Sequence, residues 1–197
     1  MPVRAASALA VGIASGLLSA AVVTFYHMGD VAAPEVFGYC FGLRISSRCD
    51  GVDAALYLFP GSLFGVIFIA WERWRRRIDP ARLVGFAVAS GVANAVAVFL
   101  CVWLTDRLNE ALDIDFLDLP MALAGAVAGA AGGALLGGAA RALSLGFNLR
   151  RSIAAAAALG LLVPFVVTWE IAGVFLFYAI WQGGYAVALT TGLPAET

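Results

Sequence analysis

The sequence predicts an all-α, polytopic membrane bundle of about six transmembrane helices. Three observations carry that prediction. Of 197 residues, 62% are hydrophobic and 13% charged, more apolar surface than a water-soluble chain of this length hides. Six stretches approach or exceed the roughly 20 apolar residues that a hydrocarbon layer about 30 Å thick requires. The positive charge, finally, is distributed unevenly between the segments that join them.

The spans run 5–27, 53–71, 83–105, 121–145, 153–169 and 171–193. The first follows Arg4 in the manner of a signal peptide, but its apolar run exceeds the roughly 7 to 15 residues of a signal core, so it is read as retained. The fifth is the shortest, and Glu170 alone separates it from the sixth, which also permits a tight hairpin or one broken element. Pro60-Gly61-Ser62, Pro164 and Gly183-Gly184 are expected to interrupt the second, fifth and sixth spans, exposing backbone groups. A division into halves of three spans resembles an inverted repeat weakly. No linker or low-complexity segment divides the chain, so residues 1–197 form one integral membrane domain with an outer loop over 28–52.

Orientation follows from the arginines, which supply all 12 basic residues. With the N-terminus inside, Arg4, Arg73, Arg75, Arg76, Arg77, Arg82, Arg141, Arg150 and Arg151 are cytoplasmic, while Arg44, Arg48 and Arg107 lie outside with ten of the 13 acids. An even span number and the charge bias agree on both termini in the cytoplasm. A bacterial inner membrane is the expected location. The near-zero net charge excludes the basic excess of a nucleic-acid binder.

Five groups of residues invite a functional reading. Gly125, Gly129, Gly133 and Gly137 recur every fourth residue and form one helical stripe, echoed by Ala8, Gly12, Gly16 and Ala20 in the first span; such stripes let another backbone approach closely. Internal packing, for example of the first span on the fourth, is weighed above docking of a partner chain. Asn94 and Gln182 are amides at mid-membrane depth, where a polar group must find a partner. They serve either as glue between helices, to each other or to other neighbours, or, with Ser62, as a site for a neutral or weakly polar solute. Cys40 and Cys49 share the outer loop and are expected to form a structural disulfide in an oxidising compartment, with a redox pair as the alternative. Trp71 and Trp74 with Arg75, Arg76 and Arg77 suit anchoring to anionic head groups or to a partner. His27, Asp53, Asp106 and Glu170 gather near the outer boundary at no ligand-like spacing and are read as wetted helix ends, so no metal and no cofactor is expected.

No nucleophile elbow, metalloprotease, phosphate-loop or dinucleotide motif is present, and the chain holds one histidine, which leaves little scope for acid–base chemistry. The expected function is therefore non-enzymatic: a packing or assembly subunit of a larger membrane complex, whose partners are lipids and other membrane chains or a second copy of itself. The alternative is a small permease, channel or solute-binding component with a site near Asn94 and Gln182. A membrane redox protein using Cys40 and Cys49 is a third, weaker class.

Overall fold

The computed structural model describes residues 3–29, 52–112, 118–168 and 170–191, with side chains over 4–24, 58–111, 119–166 and 171–191. Among these residues the chain is all-helical: α1 (Val3–Gly29), α2 (Val52–Arg76), α3 (Pro80–Leu112), α4 (Asp118–Ala142), α5 (Leu149–Gly160), α6 (Pro164–Thr168) and α7 (Glu170–Thr190). Five helical stretches, Arg4–Thr24, Pro80–Ala111, Leu119–Ala142, Leu149–Val166 and Ile171–Thr190, are long and apolar enough to cross a membrane. The segment α2 is one helix of 25 residues, but the side chains of 52–57 lie outside the description. Cys40 and Cys49 also lie outside the described residues, as does the whole 30–51 segment.

The turns explain why the rods stop where they do. Arg77 ends α2 in the left-handed region at φ 54, its N–H returning to the Arg73 carbonyl at 2.9 Å, and Asp79 then caps α3 by accepting from the Ala81 N–H at 2.9 Å. Pro80 fills the first position of α3, where its missing N–H removes nothing. After α4, the Leu145 N–H reaches back to the Ala140 carbonyl at 2.9 Å, and Gly146 turns the chain at φ 75, a conformation that costs glycine little. Asn148 caps α5 through its side-chain oxygen, which accepts from the Arg151 N–H at 3.1 Å.

The helices close into a ring. α1 packs on α7 and α2, α2 on α3, α3 on α4, α4 on α5, and α5 returns to α7, with α6 also against α7. The glycine stripe of α4 therefore meets α5, not α1, and the small residues of α1 meet α7. The reason is spacing: Ser152, Ala156 and Gly160 repeat at four residues on α5 and offer the complementary face. A methyl group on Gly133 would stand 2.7 Å from the Ser152 carbonyl oxygen, and one on Gly129 would stand 2.8 Å from the Ala156 carbonyl carbon. Gly125 and Gly160 face each other, so that a methyl on either would run into the other's carbonyl. On the far side of the ring, a methyl on Gly12 would stand 2.7 Å from the Gly183 Cα, while one on Gly183 would meet the Ile13 side chain at 2.9 Å.

Pro60 and Gly183-Gly184 do not interrupt their helices, contrary to expectation; α2 and α7 run unbroken through them. A proline removes only one ladder hydrogen bond, and glycine removes none, so flanking packing keeps the helix intact. The break falls in the fifth span alone. There α5 ends at Gly160, residues 161–163 form turns, and α6 starts at Pro164. The ring of Pro164 cannot coexist with a normal bond to the carbonyl four residues earlier, which belongs to Gly160. That carbonyl instead accepts from Val163 at 3.1 Å, and the Leu162 carbonyl accepts from Phe165 at 3.1 Å, the tighter i+3 pattern.

The interior is filled unequally. Phe64 and Phe68 of α2, Phe86 of α3, Phe147 of the α4–α5 turn and Tyr185 of α7 form an aromatic core at the arginine-bearing end. Phe68 is its hub, with ring centres 5.3 Å from Phe64, 5.7 Å from Phe147 and 6.2 Å from Phe86, within the range where aromatic pairs add to simple burial. The exterior is apolar: Val84, Val88, Val92, Val96, Phe99 and Trp103 make one exposed stripe down α3.

Two glycines of α4 separate packing from propensity. Gly133→Leu should destabilise the solubilised protein by about 1–3 kcal/mol, the usual cost of overpacking. Gly138, with nothing within 4 Å of an added Cβ, should gain up to about 1 kcal/mol on replacement by alanine. Thermal unfolding in mild detergent reads both; equal and unchanged melting would remove the close-contact account of the α4–α5 seam.

Candidate functional site

A cavity of about 130 Å³ lies inside the ring between α3, α4, the α5–α6 break and α7. Asn94, Cys101 and Thr105 reach it from α3, Met121 and Ala128 from α4, and Tyr178 and Trp181 from α7. Its fourth wall is the break itself, through Gly160, Val163 and Val166. The cavity exists because the chain recedes where Pro164 ends regular helix, and because α4 presents glycine and alanine where larger side chains would fill the space. No charged residue is among its described lining. Thr105 donates its hydroxyl to the Cys101 carbonyl at 2.8 Å, and Asn94, Cys101, Tyr178 and Trp181 are the other residues of this mostly apolar wall that carry polar side-chain groups.

The second mid-depth amide is elsewhere. Gln182 is fully buried and donates from Nε2 to Ser19 Oγ at 3.0 Å and to the Pro60 carbonyl at 3.2 Å. Ser19 donates to the same carbonyl at 3.4 Å, so three helices, α1, α2 and α7, are joined at one point. Asn94 and Gln182 thus do not bond to each other, and Gln182 is not in the cavity wall. Ser62 is not in it either; its hydroxyl stands where a side chain on Gly91 would go. Asn94 and Gln182 nevertheless approach adjacent residues of α2, since Asn94 Cβ lies 2.5 Å from the position of a methyl on Gly61. The Pro60-Gly61 step is a meeting place for both amides, reached from opposite neighbours.

The expected anchor at the end of α2 divides into two faces. Trp71 is half-buried beside Phe68, with ring centres 5.9 Å apart, and the Arg75 guanidinium lies 5.1 Å above the Trp71 ring while donating to Ser7 Oγ at 3.4 Å. Arg76 turns inward and donates to the Leu145 carbonyl at 3.2 Å. Between them sits Glu72, whose side chain is 0% exposed and whose carboxylate meets Arg4 at 3.2 Å and Arg76 at 3.1 Å. Trp74, by contrast, is 88% exposed, and Arg73 and Arg77 are exposed with it.

Sequence reasoning missed Glu72, which looked like one more charge in a solvated run. Helical phase was the available signal, because Glu72 shares a face with Phe68 and Ile69, four and three residues earlier. The polar link in which Ser152 donates to the Gly133 carbonyl at 2.8 Å and also hydrogen-bonds the Tyr185 hydroxyl was missed as well. Among the described residues there is no cluster of His, Cys, Asp and Glu able to hold a metal ion.

Compared with protein-family models, curated proteins and solved structures, the chain has no match.

Removing Glu72 should leave two guanidinium groups facing each other in a poorly solvated place. Glu72→Ala is expected to cost about 3 kcal/mol, whereas Arg107→Ala, which breaks the exposed pair with Glu110, should cost under about 1 kcal/mol. Chemical denaturation in detergent micelles measures the two; similar losses would mean that Glu72 is not the keystone of its cluster.

Proposed function

We propose that this chain is a multi-pass, non-enzymatic membrane protein that binds a small neutral solute in the cavity beside Asn94, as a solute-binding component or small permease. The cavity is the observation that carries the reading. At about 130 Å³ it compares with the roughly 150 Å³ engineered apolar cavity that accepts benzene. Its occupant is a small, mostly apolar molecule of that scale. The absence of charge from the described wall disfavours an ionic solute, since a buried ion needs a paired charge.

Bilayer placement is supported by the five apolar helices and the apolar exterior. The termini of the described chain also favour the expected orientation. Arg4 contacts Glu72 near the end of α2, and Arg151 at the start of α5 donates to the Thr191 carbonyl at 2.5 Å. Both chain ends thus share the arginine-rich end of the ring, the end that a cytoplasmic inner face attracts in a bacterial inner membrane.

The competing reading, a packing or assembly subunit, began from the glycine stripe. That stripe is occupied by α5 of the same chain, so its motivating observation now has an internal explanation.

Thermal shift of the detergent-solubilised protein against a graded series of neutral compounds tests the proposal. Compounds of about six to ten non-hydrogen atoms should raise the melting temperature, and Val98→Phe, which fills the cavity from α3, should abolish the effect. A response unaltered by Val98→Phe, or restricted to molecules far too large for the space, would sink the reading.

A further inference from the structure

The passage from α2 into α3 forms an open groove on the outside of the bundle, lined by Ala70, Arg73, Trp74, Arg77, Ile78 and Leu83, with Asp79 and Pro80 at the turn. We propose that this groove is a binding site for the head group of an anionic phospholipid, a second site distinct from the interior cavity. It rests on the bilayer placement above but not on the cavity's ligand.

The argument starts from which arginines are already engaged. Of the four in Arg73–Arg77, Arg75 and Arg76 turn toward the bundle, onto Trp71, Ser7, Glu72 and the Leu145 carbonyl. Arg73 and Arg77, one helical turn apart, have no ion pair or side-chain hydrogen bond among the described residues. Asp79 is the only acid in the groove lining, and one of its oxygens is engaged by the Ala81 N–H. The groove therefore carries an excess of positive charge whose natural counterpart is an anion with several acceptor oxygens. Two guanidinium forks one turn apart suit a phosphate, which each can meet through paired N–H donors.

The rest of the groove selects a lipid over a soluble anion. Ala70 and Leu83 line the side leading down the bundle, and Val84 and Val88 continue it along α3, 60% and 59% exposed. An acyl chain attached to the bound phosphate would lie along that apolar track. Trp74, 88% exposed, lines the groove with the two arginines, and indoles settle in membranes at the boundary of head group and hydrocarbon. The left-handed backbone at Arg77 is consistent with this: arginine occupies a position where glycine is the usual residue, placing a guanidinium at the mouth of the groove.

The test uses the full chain purified in mild detergent, with melting temperature followed as phosphatidylglycerol, phosphatidylcholine or inorganic phosphate is added. Phosphatidylglycerol should stabilise at concentrations where the other two do nothing. Arg73→Gln and Arg77→Gln should each raise the half-saturating concentration about fivefold, the effect of one basic residue at an anionic lipid surface, while Arg141→Gln with Arg150→Gln, exposed arginines outside the groove, should leave it unchanged. Equal stabilisation by phosphatidylcholine, an equal effect of inorganic phosphate, or an equal loss in the Arg141 and Arg150 variant would each overturn the site. If either groove variant unfolds, Trp74→Ala provides the same readout by removing a fully displayed side chain. Alkaline carbonate extraction of membranes reads bilayer placement separately. Retention in the pellet together with no lipid preference rejects the groove alone, and release into the supernatant rejects the placement and the groove together.

Discussion

The bundle depends on backbones meeting where there is almost no side chain between them. At the α4–α5 seam, Gly125 and Gly160 each place a carbonyl where the other's Cβ would be, and across the α1–α7 seam a side chain on Gly12 or Gly16 would run into the backbone carbonyl of Gln182 or Tyr178. In lipid, apolar side chains gain little by leaving hydrocarbon for one another, so close dispersion contact and weak backbone hydrogen bonds must hold helices together. Both of those terms fall steeply with distance. A ring built from such seams has little tolerance for bulk at them, and its larger side chains are displaced to the middle of the ring or to its exterior.

The interior consequences follow from that displacement. At the arginine-rich end the ring is plugged by Phe64, Phe68, Phe86, Phe147 and Tyr185, with Phe147 delivered by a turn whose course Gly146 permits. Farther along, α4 has only small residues to offer, α5 has ended, and the cavity appears. Polar groups mark the levels between. Glu72 ties α1 and α2 to each other, and Arg76 extends the tie to the α4–α5 turn; Ser152 and Tyr185 join α4, α5 and α7; Gln182 joins α7, α1 and α2. Each of these contacts spans more than one seam, so the ring is cross-braced by hydrogen bonds while its seams are held by packing.

Hydropathy made the helical segments legible, because the length needed to cross hydrocarbon is set by a solvent and not by tertiary context. The stripe Gly125, Gly129, Gly133 and Gly137 was legible for a similar reason: a period of four fixes a face whatever it meets. What it met was not, since α1 and α5 both offer small residues at that period, and choosing between them requires the arrangement of the whole ring. Pro60 and Pro164 illustrate a different limit. The two look alike in sequence, yet Pro60 sits where Ser19 and Gln182 converge on its carbonyl and α2 continues, whereas Pro164 follows Gly160, whose missing side chain lets the turn collapse toward α4. Glu72 was obscured by composition, for a charge among four arginines and two tryptophans reads as surface until its helical phase is compared with that of Phe68. Asn94 and Gln182 lie near the middle of α3 and α7, but depth along a helix carries no information about which neighbour a side chain faces.

The cavity and the break in the fifth span are best understood together. With Pro164 in place, the chain tightens into i+3 turns, and Val163 and Val166 line the opening while Val163 also stays against Gly125 of α4. The cost in hydrogen bonding is small, because Gly160 and Leu162 recover partners within the turn. The cost in packing is larger, since the apolar groups along this half-open gap lose dispersion contacts on one side. A chain whose other helices meet backbone to backbone has no general shortage of close packing, and Cys101 or Ala128 would fill the gap if replaced by a larger apolar residue. An occupant that restored those lost contacts would recover part of that cost as binding free energy.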